Sequence, residues 1–190
     1  MRPVLPRRGR AMSRRFLVPE SCVSDALLSD RPLSAAPPLP CGGSVDAAVD
    51  TLARTLWGEA RGEPVRGIEA VAAVVVNRVR RAVAAGGCWW GGSVVAVCRK
   101  PWQFACWNPS DPNRVKLMVV GPSDPVFATC LRVARRAVAG VLPDPTGGAT
   151  HYHRLGVHPA WAAERVPSAE IGRHLFFNDV EEGDMAERES

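Results

Sequence analysis

Residues 57–63 place two carboxyl groups and an arginine in one short stretch that follows an apolar run. Glu59 lies two residues after Trp57, and a carboxyl group that is partly desolvated keeps its proton closer to neutral pH, as a glycosidase acid must. Glu63 lies one helical turn further on and is the candidate second acid. The alternative is a solvated charged patch in which Glu63 pairs with Arg61, and the local pattern alone favours that alternative.

A second candidate for chemistry is the pair His151 and His153. Residues two apart in a strand lie on the same face, which is the arrangement that a two-histidine metal site needs. His158, Glu164 or His174 would complete such a site. The motifs of the common zinc peptidases are absent, however. We therefore expect the histidines to line a polar cleft, with no metal and no cofactor.

Aromatic residues are few but concentrated between residues 88 and 108, and Trp161 follows later in the chain. Aromatic faces beside amide groups, such as those of Gln103 and Asn108, suit the apolar faces and hydroxyl rims of sugars. The alternative is that the rings form the core of a loop. The cluster consists of Trp89, Trp90, Trp102, Phe104 and Trp107.

The elements that must position these residues are mostly helical. Apolar spacing and capping residues predict a helix that starts at Ser44 and leads into Glu59, and further helices over 67–85, 93–98 and 124–140. Short strands are expected at 150–153 and 175–177. The remainder of 88–123 is expected to be irregular. The fold class is therefore mainly α (α+β), with a small β element and a long central loop.

Composition indicates one domain, which we place at residues 44–180 between a disordered leader and linker (1–43) and an acidic tail (181–190). No apolar run approaches the ~20 residues of a membrane helix. The leader carries arginine pairs but lacks the apolar stretch of an export signal, so the export route stays open. The net charge of +5 suits an anionic partner or reflects a GC-rich genome. The six cysteines form one or two disulfides or are buried thiols.

The order of four motifs resembles the SleB/CwlJ family of cell wall hydrolases, which are spore-cortex-lytic-like enzymes. The resemblance covers about residues 46–177, and its motifs are residues 52–79, Gln103-Phe104, residues 144–152 and residues 171–176. It implies a lysozyme-like lytic transglycosylase fold, with a catalytic glutamate at the position of Glu59. It also implies cleavage between N-acetylmuramic acid and N-acetylglucosamine. One carboxyl group suffices for that reaction, so the resemblance favours a structural role for Glu63.

The expected cleft follows from the same motifs and from the aromatic residues. Two departures are Gly58, where family members often carry alanine, and Ala105, where serine often follows Gln-Phe. We expect a monomer that acts at the cell wall or periplasm on peptidoglycan glycan strands, with no nucleic acid partner. The alternatives are a metal-dependent wall amidase or peptidase that uses His151 and His153, and a non-catalytic wall-binding module. The expected substrate-binding residues are Gln103, Phe104, Thr146, His151, Tyr152, His153 and Trp161.

Overall fold

The computed structural model describes residues 37–180, so the acidic tail and nearly all of the expected leader lie outside the described residues. The described part contains helices and strands in the order α1 to α5 and then β1 to β3. Two short 3-10 turns lie at Ala105–Trp107 and Ala160–Ala162. The bounds are α1 Val45–Ala60, α2 Val65–Ala84, α3 Val94–Arg99, α4 Arg114–Val119, α5 Pro125–Val138, β1 His151–Arg154, β2 Ala169–Ile171 and β3 His174–Phe177.

Helix α1 begins where the sequence predicts it and carries Glu59 into the protein. The hydroxyl of Ser44 accepts a hydrogen bond from the amide of Ala47, which satisfies one of the free donors of the first turn. Leu52 and Leu56 are fully buried on its inner face. Because that face is anchored along its length, the last turn of α1 has a fixed position.

Helix α2 runs through the middle of the domain and is buried on two sides. Val71, Val75 and Val79 pack in the main core with α1 and α5, while Val74 packs in a second cluster with Phe176 of the sheet. Between residues 67 and 79 only Glu69 and Asn77 are partly exposed, so neighbouring elements enclose this part of the helix. This enclosure explains the run of three valines, which local propensity alone would assign to a strand.

The central loop is more ordered than the sequence predicts. Helix α3 lies where a short helix is expected, but α4 falls within the stretch expected to be irregular. The Arg54 guanidinium on α1 donates to the carbonyl oxygens of Leu117 (2.6 Å) and Val120 (3.2 Å), and Leu117 is buried. These contacts hold α4 against α1.

The three strands form an antiparallel sheet in the order β1-β3-β2. Strands β1 and β3 lie close to their predicted positions, whereas β2 is not predicted. Ile171 pairs with His174, so a two-residue turn connects β2 and β3, and Gly172 adopts a φ of 62° in it. Gly tolerates this conformation without steric cost. The prediction of a mainly α fold with a small β element is confirmed.

The packed unit extends further towards the N-terminus than the predicted boundary at residue 43. The amide of Leu39 donates to the Val138 carbonyl, and the carbonyl of Pro40 accepts from Val94. Leu39 is also buried. The segment therefore belongs to the core rather than to a linker, because a buried leucine and paired backbone groups anchor it.

No helix within residues 37–180 has the length and apolar character to cross a membrane.

Three cysteines occupy the core as thiols without a disulfide bond. Cys98, Cys106 and Cys130 are buried, and burial is the largest cause that raises the pKa of each thiol; for Cys98 and Cys130 the pKa is about 12. For these three residues the structure shows the buried-thiol alternative. Cys22 lies outside the described residues.

Candidate active site

Glu59 occupies the last turn of α1 and is held at both carboxyl oxygens. The backbone amide of Cys106 donates to Oε1 at 3.4 Å, and the hydroxyl of Tyr152 donates to Oε2 at 3.3 Å. Cys106 belongs to the central loop and Tyr152 to β1. Three separate parts of the chain therefore fix the orientation of one carboxyl group.

A pocket of about 160 Å³ opens beside this carboxyl group. Its walls come from the end of α1, from the 3-10 turn after Phe104, and from the start of α4. The lining residues are Trp57, Gly58, Glu59, Arg61, Ala105, Cys106, Asp111, Asn113 and Leu117.

The surroundings of Glu59 raise its pKa above the ordinary value. Burial is the largest cause, since it penalises the charged form. Hydrogen bonds from Cys106 and Tyr152 act in the opposite direction, and the nearby charge of Asp111 raises the pKa further. The pKa of the Tyr152 phenol is itself raised well above its usual range, mainly by burial. Tyr152 therefore stays a hydrogen-bond donor while Glu59 gains and loses a proton.

Glu63, the candidate second acid, is engaged elsewhere. Its carboxylate binds Arg173 through the backbone amide (2.9 Å) and through Nε (2.8 Å), and these hydrogen bonds lower the pKa of Glu63. Glycines at 62, 67 and 172 leave room for this pair, because an added Cβ at any of them would collide with it. The expected partner Arg61 instead lies over the ring of Trp57, at 4.7 Å from the ring centroid.

Strand β1 sends its side chains to two faces, and only one of them meets Glu59. Tyr152 stacks on Phe176 on that face. His151 and His153 point the other way, and both contact Trp161, with ring centroids 5.5 and 5.7 Å apart. Alternation along the strand separates these histidines and Trp161 from Tyr152, and none of the three lines the pocket beside Glu59. Their contact with substrate stays a prediction.

Gln103, Phe104 and Thr146 support the site from within. Phe104 and Thr146 are 1% and 0% exposed, so neither is available to a substrate in this structure. Gln103 accepts a hydrogen bond from the buried guanidinium of Arg78, which also donates to the Thr150 carbonyl at 2.7 Å. Arg78 thereby ties the central loop to the residue that directly precedes β1. Phe104 and Thr146 have a packing role in this structure, and their contact with substrate stays a prediction.

The tryptophan cluster divides between core and surface. Trp90 and Trp107 are buried, and their indole N–H groups donate to the Arg78 carbonyl (3.0 Å) and to Thr55 (2.9 Å). Trp102 is 76% exposed and adopts a φ of 66°, which is rare for a bulky residue. The core alternative therefore holds for the two buried rings.

The metal alternative finds little support in the arrangement of side chains. Within residues 37–180 no group of three or more histidine, cysteine, aspartate or glutamate side chains is close enough to hold a metal ion. Nδ1 of His151 lies 3.0 Å from the Thr150 hydroxyl, and Nδ1 of His153 lies 3.1 Å from the Arg154 carbonyl. Each ring is thus oriented by a residue adjacent to it in the sequence.

Sequence reasoning missed the pocket residues that the central loop supplies. Asp111 and Asn113 come more than fifty residues after Glu59, and no spacing links them to it. The available signal was the turn-forming run Asn-Pro-Ser-Asp-Pro-Asn at 108–113, which predicts a fixed turn but not its contact with α1.

The fold and the site define a class: a small helical domain that holds one partly desolvated carboxyl group in a pocket. The sequence narrows this class to one protein family. A family model described as Cell Wall Hydrolase matches residues 62–177, and the chain belongs to this family. The matched span begins three residues after Glu59, so the case for that residue rests on the geometry.

Similar proteins of known name and structure are spore and germination proteins. The chain is 30% identical over 150 residues to a spore cortex-lytic enzyme of Halalkalibacterium halodurans, which covers 74% of this chain and 37% of that protein. A spore cortex-lytic enzyme of Bacillus cereus is 28% identical over 131 residues, which are 67% of this chain and 43% of that protein. The chain thus spans less than half the length of these curated relatives.

Two solved structures share the fold. The crystal structure of the catalytic domain of the Bacillus cereus SleB protein has a TM-score of 0.54 and 27% identity, and covers 72% of this chain and 94% of that chain. The catalytic domain of the germination-specific lytic transglycosylase SleB from Bacillus anthracis has a TM-score of 0.53 and 28% identity, and the match covers 73% of this chain and 98% of that chain.

Proposed function

We propose that this protein cleaves peptidoglycan glycan strands between N-acetylmuramic acid and N-acetylglucosamine, as a lytic transglycosylase in which Glu59 transfers the proton. The observation that carries the proposal is the Glu59 carboxyl group, whose pKa burial raises and which lines a pocket beside the oriented Tyr152 hydroxyl. Membership in the cell wall hydrolase family and the similarity to a lytic transglycosylase domain support it.

In this reaction protonated Glu59 donates its proton to the glycosidic oxygen. The bond from that oxygen to C1 of the muramic acid breaks, its electron pair stays with the leaving oxygen, and C1 gains positive charge. The C6 hydroxyl of the same sugar then attacks C1, and its proton returns to Glu59. The products are a 1,6-anhydro sugar end and a new free hydroxyl, with no net consumption of water.

The two hydrogen bonds to Glu59 explain how one group serves both steps. When Glu59 gives up its proton, Tyr152 and the Cys106 amide stabilise the carboxylate that forms. Neither donor changes its own protonation state, since a backbone amide keeps its proton and the pKa of the Tyr152 phenol lies well above its ordinary value. The carboxylate therefore survives long enough to act as the base.

The decisive experiment is digestion of purified sacculi by the wild-type protein and by Glu59→Gln, followed by mass spectrometry of the soluble products. The wild type is expected to release anhydro-muropeptides. Glu59→Gln keeps the shape of the side chain but supplies no proton, and loss of a general acid costs about 10²- to 10⁴-fold in rate. Glu170→Gln is the matched control, because Glu170 is an exposed residue of β2 outside the pocket.

Each other outcome points to a different function. Cut amide bonds would identify an amidase or peptidase, reducing sugar ends a hydrolytic glycosidase, and tight sacculus binding without soluble products a wall-binding module. Full activity of Glu59→Gln would reject Glu59 as the acid.

We further assign the catalytic unit to residues 44–180 together with the packed segment before it, acting as a monomer at the wall where the substrate lies.

A further inference from the structure

The pocket beside Glu59 contains a second carboxyl group, that of Asp111. Asp111 has no ion pair with any arginine or lysine of residues 37–180, although four other acidic side chains in that range do. Arg61 also lines the pocket, but its guanidinium lies over Trp57 and donates to the Gly58 carbonyl at 3.4 Å. The negative charge of Asp111 is therefore available to whatever occupies the pocket.

The position of Asp111 is fixed by its own backbone. Its amide donates to the Asn108 carbonyl at 3.0 Å, and its carbonyl accepts from the Arg114 amide at 3.1 Å. Its Oδ1 accepts from the Asn113 amide at 2.7 Å. Oδ2 takes part in no hydrogen bond among the described residues. The turn thus holds the carboxyl group by one oxygen and leaves the other without a protein partner.

Asp111 also acts on Glu59 through space. Among the titratable groups that face Glu59, Cys106 and Tyr152 stay neutral because their pKa values are raised. Asp111 raises the pKa of Glu59 by repelling the charge that Glu59 acquires when it loses its proton. Arg61 is the cation of the pocket lining.

Cleavage of a glycosidic bond places positive charge on the anomeric carbon and ring oxygen of the sugar. Glu59 is not yet a full carboxylate while it still shares its proton, so a fixed negative charge close to the sugar lowers the barrier. We propose that Asp111 is a second functional carboxylate of this pocket, which stabilises the positive charge on the muramic acid ring and exchanges no proton. This role rests on the glycan cleavage proposed above.

The test compares wild-type protein with Asp111→Asn. Asparagine keeps an Oδ1 that accepts from the Asn113 amide, so the turn is retained while the charge is lost. We expect the rate of anhydro-muropeptide release to fall about 10- to 100-fold. We also expect the basic limb of the kcat/KM–pH profile to move to lower pH, because Glu59 loses its proton more easily without Asp111. Asp46→Asn, at an exposed position in the first turn of α1, is the matched control.

A purely structural role would lower the rate without moving that limb, and this result overturns the proposal. A rate within twofold of wild type overturns it as well. Asp111→Ser is the second variant, since serine also accepts from the amide two residues on. Thermal unfolding followed by circular dichroism shows that each variant is folded.

A measurement without substrate separates this inference from the proposed function. Carbon-13 NMR of the glutamate side-chain carboxyl groups gives the titration midpoint of Glu59, which is assigned by its absence in Glu59→Gln. A lower midpoint in Asp111→Asn supports the coupling even if the wild type releases no product from sacculi, a result that would reject only the proposed function. An unchanged midpoint overturns the role of Asp111.

Discussion

Replacing Tyr152 by phenylalanine removes one hydroxyl group and tests how the protein steers Glu59. The ring contacts with Phe176 and His174, at centroid distances of 5.8 and 5.2 Å, are kept by phenylalanine. The variant therefore loses the hydrogen bond to Glu59 Oε2 with little change in packing. Tyr152 is the single tyrosine of the chain, so no other phenol obscures the effect.

The size of the effect follows from the geometry of that bond. A hydrogen bond to a charged group contributes about 1.5–3 kcal/mol. The O···O distance of 3.3 Å exceeds the usual range for hydroxyl donors, so the lower end applies. Because the bond strengthens as Glu59 becomes a carboxylate, its loss raises the barrier. A change of about 1.4 kcal/mol corresponds to a tenfold lower rate.

The hydrogen bond from Tyr152 also determines in which direction the pH profile of the variant moves. The hydrogen bond stabilises the charged form of Glu59, so its removal raises the pKa of Glu59 further. Activity needs the protonated acid, and the basic limb of the kcat/KM–pH profile of Tyr152→Phe should therefore move to higher pH. This is opposite to the shift expected for Asp111→Asn. The assay is product release from sacculi at a series of pH values.

The reverse coupling is visible in the phenol itself. The negative charge of Glu59 contributes to the raised pKa of Tyr152, so Glu59→Gln should lower the pKa that ultraviolet absorbance reports for this one tyrosine. If Tyr152→Phe keeps the wild-type rate and pH profile, and Glu59→Gln leaves the phenol titration unchanged, the two groups do not interact and the reasoning fails.

Two further predictions concern stability and are read from urea unfolding. Gly58→Ala should lower the free energy of unfolding by about 1–2 kcal/mol, because a Cβ there meets Cys106 Cβ at 2.5 Å and overpacking exceeds the gain in helix propensity. In the Gly58→Ala background, a second change Cys106→Gly should restore stability, whereas Cys106→Ala should not. Equal rescue by both second changes would contradict the contact between the two Cβ atoms. Arg173→Ala should lower the free energy of unfolding by about 1–3 kcal/mol, since it removes a partner of the Glu63 carboxylate, whose side chain is 3% exposed. This loss of stability should become smaller at acidic pH, where Glu63 is protonated below its lowered pKa. The control Arg80→Ala, at an exposed position, should change the free energy of unfolding little.

The sequence predicts the long elements of this fold because their signals are local. Helix α1 has a serine cap and a repeating apolar face, and α5 has an aspartate cap that accepts from the Phe127 amide at 2.8 Å, with Pro125 in the first turn. Helix α4 and strand β2 have no such signals. Each is six residues or fewer, and contacts with α1 or β3 determine its conformation.

The site divides in the same way. The sequence proposes Glu59 only through the order of four motifs, because the local pattern around it favours a solvated charged patch. Asp111 is not found, because only the folding of the central loop onto α1 brings it into the pocket. For His151 and His153 the sequence shows that they share a face of the strand, but not which face of the sheet turns towards Glu59.

The close approach of Gly58 to Cys106 has a consequence for how such sequences drift. The two positions are almost fifty residues apart, yet the Cys106 side chain occupies the space that a side chain at position 58 would need. A lineage that acquires alanine at position 58 needs a smaller residue at 106 or a loop that lies further out. In an alignment each position alone would look permissive, whereas their summed volume would vary little. Grafting a central loop from a relative into this protein should therefore succeed only when the residue at position 58 is exchanged with it.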